Sequence, residues 1–159
     1  MQNAKPQSDH NQLAPISPTA ITRWLVFLAA ISGFISVGIG AMASHSLPKR
    51  LAAQGFDEAT IAKKLDQCDI GSEYQMAHAL ALLALGLSGF VNQSKFARFA
   101  AILMLLGSVC FSGGLYSLVF ADEIIHWSIV PIGGSLLMLG WLSLALASLL
   151  PKKSILQTN

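Results

Sequence analysis

Five polar side chains stand out in an otherwise apolar chain: His45, Tyr74, His78, Ser112 and Tyr116. Tyr74 and His78 are four residues apart, and so are Ser112 and Tyr116, so each pair falls on one helix face a turn apart. Set inside hydrocarbon, such groups have three chemistries open to them. A neutral His78 can hydrogen-bond His45, Tyr116 or a backbone carbonyl and hold helices in register. A histidine titrating near neutral pH can handle protons or bind a polar headgroup. Two histidines from two helices can ligate a metal or haem, although no supporting ligand set accompanies His45 and His78. Glu73 and His126 read as solvated rim residues. No G-x-S-x-G, H-E-x-x-H, phosphate-binding glycine loop or twin carboxylate within an apolar run is present, so the sequence gives no reason to expect an enzyme, a metal or a cofactor.

The elements that must position these groups follow from hydropathy. The 159 residues are 53% hydrophobic and 11% charged, against roughly 25% charged in an average soluble domain. The apolar residues come in long uninterrupted runs, the mark of an integral membrane protein. A net charge of +2 without basic patches among aromatics gives no footprint for nucleic acid. Cys68 and Cys110 have neither C-x-x-C spacing nor a framework to join, and read as small buried hydrophobes or free thiols.

Residues 1–17 are polar and aperiodic and are expected to form a disordered tail. Ser17-Pro18 reads as an N-cap with proline at the first helical position. Spans are expected at about 24–43, 74–91, 99–121 and 128–150, each near the length a helix needs to cross the bilayer. The second is the weakest because His78 lies inside it. Between the first two, Asp57 precedes a stretch with Ile61, Leu65 and Cys68 on one face, an amphipathic helix lying on lipid or on the bundle. Ser72 to Gln75 has capping-box spacing and is expected to start the second span. The fold class is an all-α membrane protein: four transmembrane helices in two hairpins over 18–151, with a short amphipathic helix in the first outer loop and a tail at 152–159.

Small residues suggest how the helices meet. Ser32, Ser36, Gly40 and Ser44 recur every four residues and give the first helix a smooth face. Gly107, Gly113 and Gly114 on the third helix, and Gly133, Gly134 and Gly140 on the fourth, offer similar surfaces. Ala41-Met42-Ala43 fits a signal-cleavage pattern, but the apolar run before it is longer than a signal peptide's core. Trp24 and Trp127 read as interfacial belt residues and Trp141 as packing.

Lysine and arginine set the orientation. One side would carry Lys5, Arg23, Lys95, Arg98, Lys152 and Lys153, and the other Lys49, Arg50, Lys63 and Lys64. Both termini are therefore expected in the cytoplasm, with the polar layer of His45, Tyr74, His78, Ser112 and Tyr116 on the opposite side.

Four motifs together resemble a known family. GAMASHSL at 40–47 is similar to a G-A-F-G-A-H-G-L signature, EYQMAHALALL at 73–83 to a Y-Q-x-x-H-A-L segment, and FSGGLY at 111–116 to F-S-G-S-L-Y. PIGG at 131–134 with GW at 140–141 is similar to the fourth helix of the same family. The family is that of unknown function numbered 423, small membrane proteins of the YgdD and transmembrane-protein-256 type. The resemblance covers roughly residues 24–150 and implies a small four-helix inner-membrane protein. It carries over His45, Tyr74, His78, Ser112, Tyr116, Pro131 and Gly134 as marked positions without assigned roles. The chain departs from the pattern at Ala43, Ser44 and Ser46, and in a longer first outer loop.

Three functions stay open on these residues. One is a non-enzymatic accessory or assembly subunit packing against another membrane protein, or a second copy, within the lipid bilayer. Another is a small transporter or lipid-binding protein using the His/Tyr layer, which requires a polar cavity there. The last is a haem or quinone protein.

Overall fold

The computed structural model describes residues 18–121 and 128–150. Within them every regular element is α-helical: α1 (Ala20–His45), α2 (Leu47–Ala53), α3 (Glu58–Leu87), α4 (Phe90–Gln93), α5 (Lys95–Phe120) and α6 (Ile129–Leu149). The expected tails at 1–17 and 152–159, and His126 and Trp127, lie outside the described residues.

Three helices, α1, α5 and α6, are long and apolar enough to cross a membrane. The expected count of four helices of that character is therefore corrected to three. The second expected span is the C-terminal half of α3, whose N-terminal half carries Glu58, Lys63, Lys64, Asp66, Asp69 and Glu73. The helix does not restart at Ser72. Its hydroxyl donates to the Asp69 carbonyl at 3.0 Å in mid-helix, so the capping-box reading fails and the loop helix and second span are one 30-residue rod. The true start is Asp57, whose carboxylate accepts from the Thr60 N–H at 2.8 Å. The α1 start also differs from the Ser17-Pro18 reading: Thr19 is the cap, accepting from the Thr22 N–H.

The C-terminal end of α3 explains the other boundary shifts. The chain leaves α3 through Gly89 at φ 65°, a left-handed conformation that glycine takes without steric cost. One turn of α4 follows, and Ser94 then caps α5 at Lys95, a turn earlier than expected. The short helix α2, with Pro48 in its first turn, was not anticipated.

Packing makes α3 and α5 the two inner helices. α1 and α5 both pack along α3, and α6 packs along α5. Between α3 and α1 the contact is antiparallel from end to end. Gly86 of α3 lies where an added Cβ would be 2.7 Å from the Val26 side chain, and the Ser36 hydroxyl donates to the Ser72 carbonyl at 2.8 Å. Asn92, just beyond α3, bonds Thr19 and Thr22 at the start of α1, each at 2.9 Å. One apolar cluster, around Leu25, Leu82, Leu85 and Met104, fills this end. A second joins α1, α2, α3 and α5 at the other end through Ala43, Leu47, Leu51, Cys68 and Val119. Ile61 and Leu65 pack against that cluster, so the amphipathic face is turned onto the bundle.

The small residues divide by role. Ser36 and Gly40 face α3, whereas Ser44 is exposed and only donates back to the Gly40 carbonyl. Between α5 and α6, a Cβ on Gly133 would meet the Phe111 backbone, and one on Gly114 would lie 2.7 Å from Val130. Gly113 has nothing within 4 Å, and Gly134 touches only the Phe111 ring, at 3.7 Å. Ser44, Gly113 and Gly134 are therefore not close-packing positions, because the helix turn that brings Gly133 and Gly114 inward turns them out.

Candidate functional site

Between the two apolar clusters lies a buried polar layer carried mainly by α3. His78, 4% exposed, has both ring nitrogens engaged. Nδ1 lies 2.7 Å from the Tyr74 carbonyl on its own helix, and Nε2 lies 3.1 Å from the indole Nε1 of Trp141 on α6. A carbonyl and an indole N–H leave one assignment: Nδ1–H donates to Tyr74 and unprotonated Nε2 accepts from Trp141. The Tyr74 ring lies nearly parallel to the imidazole at 6.3 Å and against Phe111 at 4.9 Å. The pair therefore ties α3 to α6, two helices whose backbones do not otherwise pack.

This differs from the layer expected from the sequence. His45 is exposed at the end of α1 and does not meet His78. Tyr116 bonds Gln75, its hydroxyl donating to Oε1 at 2.7 Å. The partner of His78 is Trp141, which the sequence suggested as packing alone. Among the described residues no group of three or more potential metal ligands comes together.

Gln75 is the residue that sequence reading missed. Its Nε2 donates to the Ser32 carbonyl at 3.1 Å, with the Ser32 hydroxyl at 3.4 Å, so it links α1 and α5 through α3. The signal was present: an amide three residues before His78 in an apolar half-helix needs partners if buried.

Beside this bridge lies a cavity of about 330 Å³ between α1 and α5, which flank α3 without packing on each other. Gln75, Tyr116, Ser32, Ser108 and Ser112 supply its polar wall, and Leu28, Leu82 and Leu105 part of its apolar one. Ile35 and Val109, also on its wall, are exposed on the outside of the helices, so the cavity opens sideways. The hydroxyls of Ser108 and Ser112 are buried and have no hydrogen-bond partner. A second cavity of about 440 Å³, lined by Trp24, Leu25, Val91 and Arg98, shares Leu28 and Leu105 with the first. The two form one lateral groove, polar at its inner end and apolar toward Trp24.

Comparison with known proteins follows the same residues. Residues 39–134, more than half of the chain, match the family model described as a protein of unknown function, DUF423. A UPF0382 membrane protein of Haemophilus influenzae is 45% identical over 122 residues, covering 76% of this chain and 90% of the relative. The UPF0382 inner membrane protein YgdD of Escherichia coli K12 is 32% identical over 120 residues, 76% of this chain and 85% of that protein. A UPF0382 membrane protein of Staphylococcus saprophyticus is 35% identical over 124 residues, 77% and 94% of the two chains. No solved structure matches. With the family model spanning its centre and relatives matched over nearly their whole length, the chain belongs to the DUF423 family of membrane proteins.

Proposed function

We propose that this is a non-enzymatic inner-membrane protein that crosses the bilayer four times and holds an amphiphile in the groove between α1 and α5. The observation that carries the reading is the side-opening cavity whose wall combines Gln75, Tyr116 and three serines with leucines. The cavity differs from the one expected for lipid binding, a polar space open to the outer side at His45, His78 and Tyr116: it opens sideways, is mostly apolar, and of those three residues only Tyr116 lines it. Apolar walls with a few convergent polar groups are the usual make-up of a small-molecule site.

Support for a fourth crossing comes from the pairing of α3 with α1: residues 68–86 run back beside 22–43, and Asn92 returns to Thr19. α3 is less apolar because it faces protein more than lipid. Arg23, Lys95 and Arg98 fall at that same end, which favours a cytoplasmic N-terminus and, with four crossings, a cytoplasmic C-terminus. An accessory role beside another membrane protein or a second copy fits a chain without catalytic machinery, and co-purification from native membranes tests it.

The groove is tested by filling it. Gly113 lines the cavity with open space around it, so Gly113→Leu occludes the cavity without a backbone clash. Protein purified in mild detergent is extracted and its bound amphiphiles are identified. Wild type should carry a retained species that Gly113→Leu lacks. Equal retention by both would refute the reading.

A further inference from the structure

The polar wall of the cavity has hydrogen-bond donors to spare and no charge. Gln75 is committed to Tyr116 and Ser32, yet Ser108 and Ser112, 8% and 2% exposed, have hydroxyls with no partner. Buried hydroxyls in low dielectric are costly unless bonded, and a rotation about one side-chain torsion can turn each hydroxyl toward the cavity. In the present arrangement neither hydroxyl meets an acceptor. The wall around these serines holds no cation, and Arg98, at the far end of the groove, is committed to the Val91 and Asn92 carbonyls, so the acceptor that suits the serines is a neutral carbonyl oxygen rather than a phosphate or carboxylate.

Depth narrows the class. Ser32 and Ser108 lie at the midpoints of two 26-residue helices, about 20 Å from either end at 1.5 Å per residue. Phospholipid ester groups lie at the edge of the hydrocarbon, about 15 Å from the midplane of a core about 30 Å thick. A phospholipid therefore offers only methylenes at the level of these serines. The occupant must bring its own carbonyl into the hydrocarbon on an apolar stem, and the adjoining cavity toward Trp24 gives that stem an apolar track.

We propose that the groove binds an isoprenoid-type quinone, its ring carbonyl at Ser108 and Ser112 and its tail along Leu28, Leu105 and Trp24. The assignment rests on the groove reading above and adds the ligand class to it. It is a binding site, and no redox step is assigned to it.

The test uses the full-length protein in nanodiscs, with a decyl-substituted benzoquinone as probe and decylbenzene as a control without carbonyls. Retention is measured against empty nanodiscs. Wild type should retain the quinone saturably and more tightly than decylbenzene. Ser108→Ala/Ser112→Ala, which removes only unpartnered hydroxyls, should weaken quinone retention about tenfold, the effect of one lost hydrogen bond, and leave decylbenzene unchanged. Gly113→Leu should lose both. Equal retention of the two probes, or full quinone retention by the serine variant, overturns the quinone assignment. In that case loss of decylbenzene by Gly113→Leu still leaves the groove reading standing, whereas retention of both probes by Gly113→Leu overturns both.

Discussion

The bridge from Ser32 through Gln75 to Tyr116 can be tested as a unit. Only one orientation of the amide serves it: the Ser32 carbonyl can only accept, so Nε2 must face it and Oε1 must face the Tyr116 hydroxyl. Tyr116→Phe keeps the ring and opens no cavity, but it takes the 2.7 Å donor from an Oε1 on a residue only 8% exposed. An unsatisfied buried acceptor costs about 1–3 kcal/mol in soluble proteins, and interhelical bonds in membranes average about 0.6 with a ceiling near 1.7. The expected loss is therefore about 1 kcal/mol. Gln75→Leu removes the amide with both of its bonds, and the Ser32 carbonyl it abandons keeps its place in the helical ladder of α1. In the Gln75→Leu background Tyr116→Phe should then cost almost nothing, giving a coupling energy of about 1 kcal/mol. Reversible unfolding in mixed micelles, run on the two single variants and the double, measures it. Additivity within about 0.3 kcal/mol, the behaviour of independent sites, would refute the bridge.

Three further outcomes follow from other contacts. Trp141→Phe removes the indole donor to buried His78 Nε2 and should lower stability by about 1 kcal/mol, whereas the same change at Trp24, exposed as Trp141 is, should fall within about 0.5 kcal/mol; unfolding in the same micelles compares them. Gly133→Ala sets a methyl against the Phe111 backbone, which cannot yield like a side chain, and should cost about 2 kcal/mol or more, while Gly134→Ala, 3.7 Å from the Phe111 ring, should be neutral or slightly stabilising. At the start of α3, hydrogen bonds from Thr60 hold the Asp57 carboxyl below its ordinary value. The stabilisation this cap gives is complete above the ordinary carboxylate range and fades as pH falls through the lowered value. Amide exchange at Thr60 should therefore show less protection at strongly acid pH in wild type, and Asp57→Ala should show that lower protection already at neutral pH.

What the sequence revealed and concealed has a common physical source. α1, α5 and α6 were legible because their outer faces meet lipid, and lipid demands residues such as Phe34, Val109 and Met138, all largely exposed. The amphipathic stretch after Asp57 was legible because Ile61, Leu65 and Cys68 share one face, whereas the caps read at Ser17 and Ser72 gave way to Thr19 and Asp57. The join between the loop helix and the second span was not legible, because S-x-x-Q spacing reads the same at a helix start and in mid-helix. Only the bond of Ser72 to Asp69 distinguishes them. The histidine pairing failed for a related reason. Starting the second span at Ser72 set His78 near the level of His45, but α3 runs on from Asp57 and its register on α1 puts Gln75 beside Ser32, so His78 lies deep in the bundle, away from His45, and meets Trp141.

Of the four long helices among the described residues, α3 alone is not apolar enough to be read as crossing a membrane. A helix in lipid is read as spanning by its apolar surface, yet α3 turns Ser72, Gln75 and His78 toward three different neighbours and keeps them all nearly buried. These groups, together with the charged residues of its N-terminal half, set its hydropathy below that of the other three. The same arrangement creates the groove. Because α3 holds α1 and α5 apart, each long flank is packed on its α3 side and open toward the other, and the polar residues that join the flanks do so only at Gln75. The two unpaired hydroxyls beside that opening are the observation on which the proposed ligand stands or falls.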